Sequence, residues 1–391
     1  MAKDKKKIVL NKTKEGKHVN IFLIFTMVIV MAVLSLGSLA APDREKSDNE
    51  NRFLAQKPKF SAENVLEGKF ETQLEDYLSD QIIGRENWIK IMSNTLKSIG
   101  YSDVNGVYIL DDGRLIERKT QAEFNSVRFR SNLDQIVEMN KEIAEAGTEV
   151  KVMLVPTAAH SYRNAANLST NFDEGKAFSD ARDALGDLLI DLEDAFVPDE
   201  NQDYYYKTDH HWNYSGAEKG ASIYRDALGL SAENREAEEL TKDFRGTLYS
   251  KVLLSERVRD VISAPEDSMD MKLKVYIGDE TYDSVYFTDR LENKDKYEVF
   301  FGGNYEKVEI VNEEPGAKAK PRLLIVKDSY ANSFVPFILG DFSGITMVDT
   351  RYYRDSVKDL ALDGEYDQVL VLYSVANFSE EKMLLSDSLL S

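Results

Sequence analysis

The sequence predicts an α/β protein: a three-layer α/β/α domain with a mostly parallel sheet and a β-rich insertion over 245–315, preceded by one transmembrane helix. Three observations lead to this fold class. Short apolar runs alternate with helical patterns in much of the chain, as repeated strand–helix units require. Residues 245–315 instead hold short β-rich runs, which are typical of antiparallel pairing. An uncharged stretch over 19–41 lies near the N-terminus.

The composition is that of a folded protein without thiol chemistry. Of the 391 residues, 42% are apolar and 30% are charged, a balance that excludes wholesale disorder. The absence of cysteine excludes disulfides, thiolate metal sites and cysteine nucleophiles. The net charge of −20 argues against a nucleic-acid partner, because phosphate recognition needs a basic surface.

The first 41 residues predict a membrane anchor. Residues 1–18 form a basic tail, and residues 19–41 carry no charge. As a helix, this stretch spans about 35 Å, enough for a hydrocarbon core of about 30 Å. The basic flank predicts a single-pass cell-membrane protein with a cytoplasmic N-terminus and an extracellular domain. A cleaved signal peptide is the alternative, because Ser38-Leu39-Ala40 resembles a cleavage site.

The next segments predict a stalk, two helices and a hairpin. Residues 42–60 are polar, which is typical of a stalk before an ectodomain over 61–391. Amphipathic patterns predict helices over 62–80 and 83–99. An Asp-Asp-Gly turn between two apolar runs, at 111–113, predicts a hairpin.

Strand–helix units follow in the rest of the ectodomain. The runs predicted to share one sheet are 150–155, 322–326 and 369–372. Apolar residues from Leu185 to Phe196 predict a helix. A helix is predicted to start after Trp212, where Ser215 and Glu218 have capping-box spacing.

Two segments carry residue types suited to acyl chemistry. One is the polar and aromatic cluster over 204–213, which contains Asp209, His210 and His211. The other is an apolar strand that runs into Lys327-Asp328-Ser329-Tyr330. Each segment also has a structural interpretation. The first could be an aromatic packing loop, and the serine of the second could cap a helix.

Together the two segments supply the parts of a serine-based mechanism. A serine nucleophile needs a base, and the base needs a group that fixes its tautomer. Open parallel sheets gather such loops at the carboxyl ends of their strands. We therefore expect a ring nitrogen of His211 beside the Ser329 hydroxyl, with Asp209 at the other nitrogen and His210 pointing elsewhere. The backbone N–H groups of Ser329 and Tyr330 should face a cleft, where they would stabilise an oxyanion.

Three more residues at predicted strand ends are candidates for substrate binding: Arg351, Tyr373 and Asn377. Arg351 suits a polar ligand, and Asn377 suits donation to an oxyanion. The structural alternatives are an ion-paired Arg351 beside packed Tyr352 and Tyr353, and a helix cap at Asn377.

The two chemical segments resemble the bacterial DHHW protein family, which is similar to the SGNH-hydrolase-like O-acetyltransferases of alginate modification. The supporting pieces are Asn51–Ala55, Ser79-Asp80, Gly84-Arg85, Val155-Pro156, Pro336-Phe337 and Asp349–Tyr353. The resemblance implies that Asp209 orients, His211 is the base and Ser329 is the nucleophile, while His210 is structural. Lys327 is a departure, since a Gly-Asp-Ser block has glycine there.

The resemblance also implies a function. It is that of a membrane-anchored extracellular serine O-acetyltransferase or acetylesterase that acts on cell-envelope polysaccharide and uses no metal or other cofactor. The acceptor would be peptidoglycan, teichoic acid or exopolysaccharide, and a membrane acyl-exporting protein would be the partner. One alternative is a non-catalytic binding or assembly protein of the envelope. The other is a manganese phosphoesterase, which Asp-His-His suggests. A phosphoesterase of that kind needs further Asp or His ligands.

Overall fold

The computed structural model describes residues 14–47, 52–164, 168, 171–199, 201–230, 235–254 and 258–382, so part of the basic tail and Asn51 lie outside the described residues. The chain divides into two units, Met1–Ile91 and Met92–Ser391. The helices are α1 (Lys14–Ala40), α2 (Ala62–Leu66), α3 (Lys69–Gln81), α4 (Arg85–Ser98), α5 (Ser126–Glu145), α6 (Ala158–Ser161), α7 (Glu174–Leu185), α8 (Tyr214–Ala227), α9 (Thr247–Val252), α10 (Glu266–Met269), α11 (Tyr330–Phe334), α12 (Val357–Asp363) and α13 (Val375–Phe378). Single turns of 3₁₀ helix lie at Gly186–Leu188, Thr288–Glu292, Lys296–Val299, Ala317–Ala319, Val335–Phe337 and Leu339–Asp341.

The strands are β1 (Lys46–Ser47), β2 (Arg52–Phe53), β3 (Asp103–Val104), β4 (Val107–Ile109), β5 (Leu115–Glu117), β6 (Glu149–Val155), β7 (Leu189–Ile190), β8 (Ala237–Phe244), β9 (Asp260–Pro265), β10 (Leu273–Ile277), β11 (Glu280–Tyr282), β12 (Lys307–Asn312), β13 (Arg322–Lys327), β14 (Gly344–Val348) and β15 (Gln368–Ser374).

The first unit contains α1, which over Asn20–Ala40 is long and apolar enough to cross a membrane. The segment expected to be a stalk is folded against the end of α3. Asp80 accepts the Ala55 N–H at 2.8 Å, and the Gln81 side chain donates to the carbonyls of Arg44 and Ala55. Both α3 side chains are buried, so these hydrogen bonds fix the backbone of the segment.

The main sheet of the second unit has eight strands in the order β11-β10-β12-β14-β13-β15-β6-β7. The strands from β14 to β7 pair in parallel, and β12, β10 and β11 continue the sheet in antiparallel pairs. The three runs predicted to share a sheet are its adjacent strands β13, β15 and β6. The fold class predicted from the strand–helix alternation is therefore confirmed.

Helices cover both faces of this sheet because side chains alternate along each strand. In β15, Leu370 and Leu372 pack into a core that includes Ala221 and Tyr224 of α8. Val371 of the same strand packs into a second core, with residues of α5 and α7 such as Phe129 and Phe178. The result is three layers, with the strand ends free to carry loops.

One local prediction is wrong, and another is wrong only in its capping residue. The helix predicted from Leu185 to Phe196 does not form: α7 ends at Leu185, because Gly186 has a positive φ, and after a turn of 3₁₀ helix the chain forms the edge strand β7. The helix predicted after Trp212 is confirmed as α8, but its cap is Asn213 and not Ser215, because the Asn213 side chain accepts the Gly216 N–H at 3.0 Å. The hairpin prediction holds, since β4 and β5 pair antiparallel on either side of the Gly113 turn.

We expect the centre of β15 to dominate the stability of the second unit. Replacing Leu370→Ala, at a side chain with no exposed surface, should lower the free energy of unfolding by about 2–5 kcal/mol. Leu362→Ala, at a leucine that is 37% exposed, is the matched control and should change it little. Denaturant titration of the two full-length variants in detergent micelles measures both, and equal losses would contradict this placement of the core.

Candidate active site

The candidate site lies at the carboxyl ends of β13 and β15. The β13 strand ends at Lys327, the chain turns through Asp328 and Ser329, and α11 begins at Tyr330. The loop that carries the two histidines is closed by a β-bridge between Tyr205 and Trp212. This closure makes the segment a tight turn, which holds its polar residues together.

Asp209, His211 and Ser329 form one hydrogen-bonded line. The Nδ1 atom of His211 lies 2.6 Å from Oδ1 of Asp209, and its Nε2 atom lies 2.7 Å from Oγ of Ser329. These residues come from segments 118 positions apart and are all buried, with 2%, 5% and 8% of their surfaces exposed. The geometry is that of a nucleophile, a base and an orienting carboxylate.

The Asp209 carboxylate is held by donors from two segments. It accepts the backbone N–H of His211 at 3.0 Å and that of Thr247 at 2.7 Å, besides the Thr247 hydroxyl at 3.1 Å. Burial alone would raise the pKa of Asp209, but the neighbouring histidines and these hydrogen bonds bring the pKa well below its usual range. The carboxylate is therefore ionised, and its position is fixed.

Gly246 allows the start of α9 to lie close to the Asp209 carboxylate. A Cβ atom at this position would lie 2.0 Å from Oδ2 of Asp209 and 2.3 Å from its Cβ. No other residue type has room there, since real Cβ atoms do not come so near. The N-terminus of α9 can therefore reach the carboxylate only because residue 246 has no side chain.

His211 is packed so that its ring is neutral and correctly oriented. The ring of Tyr297 stacks on it, with centroids 4.1 Å apart and planes 9° from parallel. The Tyr297 hydroxyl lies 3.1 Å from the Ser329 carbonyl and 3.0 Å from the Ser333 hydroxyl. Burial lowers the pKa of His211, and the nearby charge of His210 lowers the pKa further, against the opposing effect of Asp209.

Tyr297 is a site residue that the sequence did not reveal. It lies in the stretch over 245–315 that the sequence predicts to be β-rich, but Lys296–Val299 forms a turn of 3₁₀ helix. The aromatic enrichment was the available signal. It indicated burial, and it did not say which residue the ring would cover.

His210 points away from the serine. Its Nδ1 atom lies 2.8 Å from the Thr247 hydroxyl, which itself donates to Asp209. Nδ1 of His210 is therefore the donor, and the ring packs against that of His211 with centroids 3.9 Å apart and planes tilted by 35°. Asp209, His210 and His211 have candidate ligand atoms within 4.8 Å of one another, the spacing of a metal site. A metal ion there would have to displace hydrogen bonds that Asp209 and His211 already make.

Of the two backbone N–H groups expected to stabilise an oxyanion, one is already hydrogen-bonded to another residue. The Tyr330 N–H donates to Oδ1 of Asp328 at 2.9 Å, so the expectation that it opens to the cleft is wrong. The Ser329 N–H has no acceptor within the described part of the chain. Asp328 also accepts the Ser374 N–H and the Asn377 side-chain N–H, at 2.9 Å and 2.8 Å, and so joins the ends of β13 and β15.

Lys327, where the related motif has glycine, is buried in a polar network. Its Nζ atom lies 2.7 Å from Oδ1 of Asn332 and 3.0 Å from Oδ1 of Asn304, with the Asp349 carboxylate at 3.8 Å. Burial lowers the pKa of Lys327 to about 8. The long side chain runs away from the serine and anchors the strand end.

A cavity of about 380 Å³ adjoins the turn and is lined by all three candidate substrate-binding residues, Arg351, Tyr373 and Asn377. Arg351 is ion-paired with the buried Asp349, at 2.8 Å from Nε to Oδ1. The Tyr373 hydroxyl lies 2.7 Å from that of Thr350. Asn377 lies inside α13, whose cap is Ser374, because the Ser374 hydroxyl accepts the Asn377 backbone N–H at 3.2 Å. Arg351 thus has the structural role given as its alternative, Asn377 does not cap the helix, and all three residues border the cavity.

Comparison with known proteins agrees with this fold. A family model described as the SGNH hydrolase-like domain of the acetyltransferase AlgX matches residues 116–259, which include Asp209 and His211 but end before Ser329. No curated protein sequence matches the chain. A DHHW family protein from Eubacterium siraeum is similar in structure, with a TM-score of 0.59 and 23% identity over 73% of this chain and 98% of that one.

Bacillus cereus PatB1, solved with a sulfonyl adduct, is similar with a TM-score of 0.59 and 19% identity, over 71% of this chain and 98% of that one. These two likenesses show the α/β fold, and the family model that matches residues 116–259 describes it as SGNH hydrolase-like. The resemblance to the DHHW and SGNH-like proteins that the motifs indicated is confirmed.

We expect Gly246→Ala to disrupt the candidate site, because the added methyl group overlaps the Asp209 carboxylate. The Nδ1–H proton of His211, strongly deshielded by its short hydrogen bond, should disappear from its downfield position in the proton NMR spectrum. Gly340→Ala is the control, since nothing lies within 4 Å of its Cβ position. An unchanged downfield proton in Gly246→Ala would contradict the described contact.

Proposed function

We propose that this protein is a membrane-anchored, extracellular serine acyltransferase or esterase that acts on the O-acyl groups of cell-envelope polysaccharide. The observation that carries the proposal is the hydrogen-bonded line from Asp209 through His211 to Ser329. Each member has the protonation state that its role requires: an ionised carboxylate, a neutral imidazole and a serine hydroxyl.

In the first half-reaction, Ser329 attacks the carbonyl carbon of an acyl donor. The new Oγ–C bond forms as the hydroxyl proton moves to Nε2 of His211, and the carbonyl electrons move onto its oxygen. The Ser329 N–H stabilises this oxyanion, and the second N–H of the Asn377 amide is the candidate for a further donor. Collapse of the intermediate breaks the bond to the leaving oxygen, which takes the proton from His211.

In the second half-reaction, an acceptor hydroxyl attacks the acyl-Ser329 ester. His211 removes the hydroxyl proton and returns it to Oγ of Ser329 when the ester bond breaks. A polysaccharide hydroxyl gives transfer, and water gives hydrolysis. Asp209 holds the Nδ1–H tautomer throughout and stabilises the imidazolium that forms in each half.

The cavity beside the turn is the proposed binding site for donor or acceptor, with Arg351, Tyr373 and Asn377 in contact with the substrate. The description of the matching family as an acetyltransferase supports acyl transfer. The apolar α1 supports an anchor that keeps the domain at the membrane, with the N-terminus in the cytoplasm. Because acetyl-CoA is absent outside the cell, the acyl group would come from an acyl-exporting membrane partner.

One observation favours the second candidate function, a non-catalytic binding or assembly protein of the envelope. The Tyr330 N–H, which would complete an oxyanion hole with the Ser329 N–H, is occupied by Asp328. Loss of one such donor costs about 10²–10³ in turnover. Measuring turnover therefore separates the two functions.

We expect Ser329→Ala to abolish hydrolysis of a chromogenic acetyl ester by the full-length protein. Removal of a triad nucleophile lowers turnover by about 10³-fold or more. Ser343→Ala, at a serine that precedes β14 and donates to the Pro321 carbonyl, is the matched control and should keep wild-type turnover. A sulfonyl fluoride should label Ser329, which peptide mass spectrometry would locate. Equal turnover in wild type and Ser329→Ala would contradict the catalytic proposal and support the non-catalytic function.

We expect the pH profile of kcat/KM to have an acid limb with its midpoint below about 6.5, the ordinary pKa of histidine. His211 accepts the serine proton only when it is neutral, so activity falls as pH drops through its lowered pKa. His210→Gln removes a like charge, so the pKa of His211 and the acid limb should move to higher pH. A wild-type midpoint above that value, or a downward shift in the variant, would contradict this account of the base.

A further inference from the structure

Helix α4 has large exposed apolar side chains in the part that belongs to the first unit. Trp88 is 44% and Ile91 57% exposed. Their spacing of three residues makes them neighbours on one stripe of the helix.

The corner before α4 joins this stripe to the end of α1. Ile83 is 46% exposed, and its N–H donates to the Ser38 hydroxyl of α1 at 3.0 Å. Its side chain comes within 3.6 Å of the position that a Cβ of Gly37 would occupy. The corner is therefore tied to α1 through both backbone and side chain.

This contact fixes the depth of the corner if α1 spans a membrane. Gly37 and Ser38 lie inside the apolar stretch that ends at Ala40, and the first charged residues after it are Asp43 and Arg44. At 1.5 Å per residue, Gly37 lies about 5 Å below the end of the span. Ile83, which contacts it, is then at the level of the outer lipid interface.

The side chain of Trp88 suits the outer lipid interface. Its indole N–H donates to the Ile83 carbonyl at 3.2 Å, so its polar atom is satisfied while its ring remains exposed. Tryptophan concentrates at membrane interfaces because an apolar ring with a polar edge fits there. An exposed stripe in water would instead be a liability, since apolar patches of this kind mark interaction surfaces.

We propose that the stripe of Ile83, Trp88 and Ile91 binds the outer surface of the lipid bilayer, so that the first part of α4, over residues 85–91, lies on the membrane that α1 crosses. The partner is the lipid itself, at the boundary between headgroups and acyl chains. The inference depends on α1 being retained as an anchor and is independent of the chemistry at Ser329.

The test uses tryptophan fluorescence, because the chain has two tryptophans, Trp88 and the fully buried Trp212. The full-length protein is placed in nanodiscs, one chain per disc, with phosphatidylcholine brominated either near the headgroup or near the end of the acyl chain. We expect bromines near the headgroup to quench the emission strongly and the deeper bromines to quench it less. In Trp88→Phe, where only Trp212 emits, this quenching should be lost.

Three outcomes would overturn the proposal. If bromine does not quench the wild-type emission, Trp88 does not touch lipid. The same conclusion follows if the wild type and Trp88→Phe are quenched equally. Emission that shifts to the red when the protein passes from detergent at high concentration into single-chain nanodiscs would assign the stripe to a second copy. In the supporting case, Ile91→Asp should reduce the quenching of Trp88, while Ser329→Ala should leave it unchanged.

Discussion

The buried negative charge of Asp209 is the constraint on which the site depends. A carboxylate with 2% of its surface exposed is stable only if its oxygens are fully hydrogen-bonded. Its donors come from its own loop and from the start of α9, so the two segments must meet for the charge to be tolerated. Once they meet, the orientation of the His211 ring follows, because its Nδ1–H is one of those donors.

A second carboxylate connects this loop system to the sheet. Asp328 accepts N–H groups from Tyr330, Ser374 and Asn377, and its own N–H donates to the Leu372 carbonyl. The turn that carries Ser329 is thereby fastened to the neighbouring strand. The same contact that makes the serine position reproducible takes the Tyr330 N–H away from an oxyanion. The rigidity of Ser329, the proposed nucleophile, therefore competes with the stabilisation of an oxyanion by the Tyr330 N–H.

Much of this arrangement could be predicted from the sequence, because some patterns have few physical solutions. Apolar runs of four residues such as Leu323–Val326, each followed by a polar turn, are typical of buried parallel strands, and β13 and β15 were predicted from them. The residue types at Asp209, His211 and Ser329, together with their resemblance to known motifs, indicated which side chains should meet. The site residues that were missed, such as Tyr297, act through tertiary contact alone. The failed helix at Leu185–Phe196 shows a local limit of a related kind, since helical spacing cannot show that one glycine will take a positive φ.

The stacking of Tyr297 on His211 changes how the stretch over 245–315 should be regarded. A chain shortened across this stretch would keep Asp209, His211 and Ser329, together with the strands β13 and β15. It would lose the Tyr297 ring against the imidazole, Gly246 and Thr247 beside the carboxylate, and the antiparallel strands β10, β11 and β12 of the main sheet. The segment that the sequence presents as an insertion is therefore part of both the candidate site and the main sheet. Attempts to reduce this protein to a minimal domain should therefore cut elsewhere.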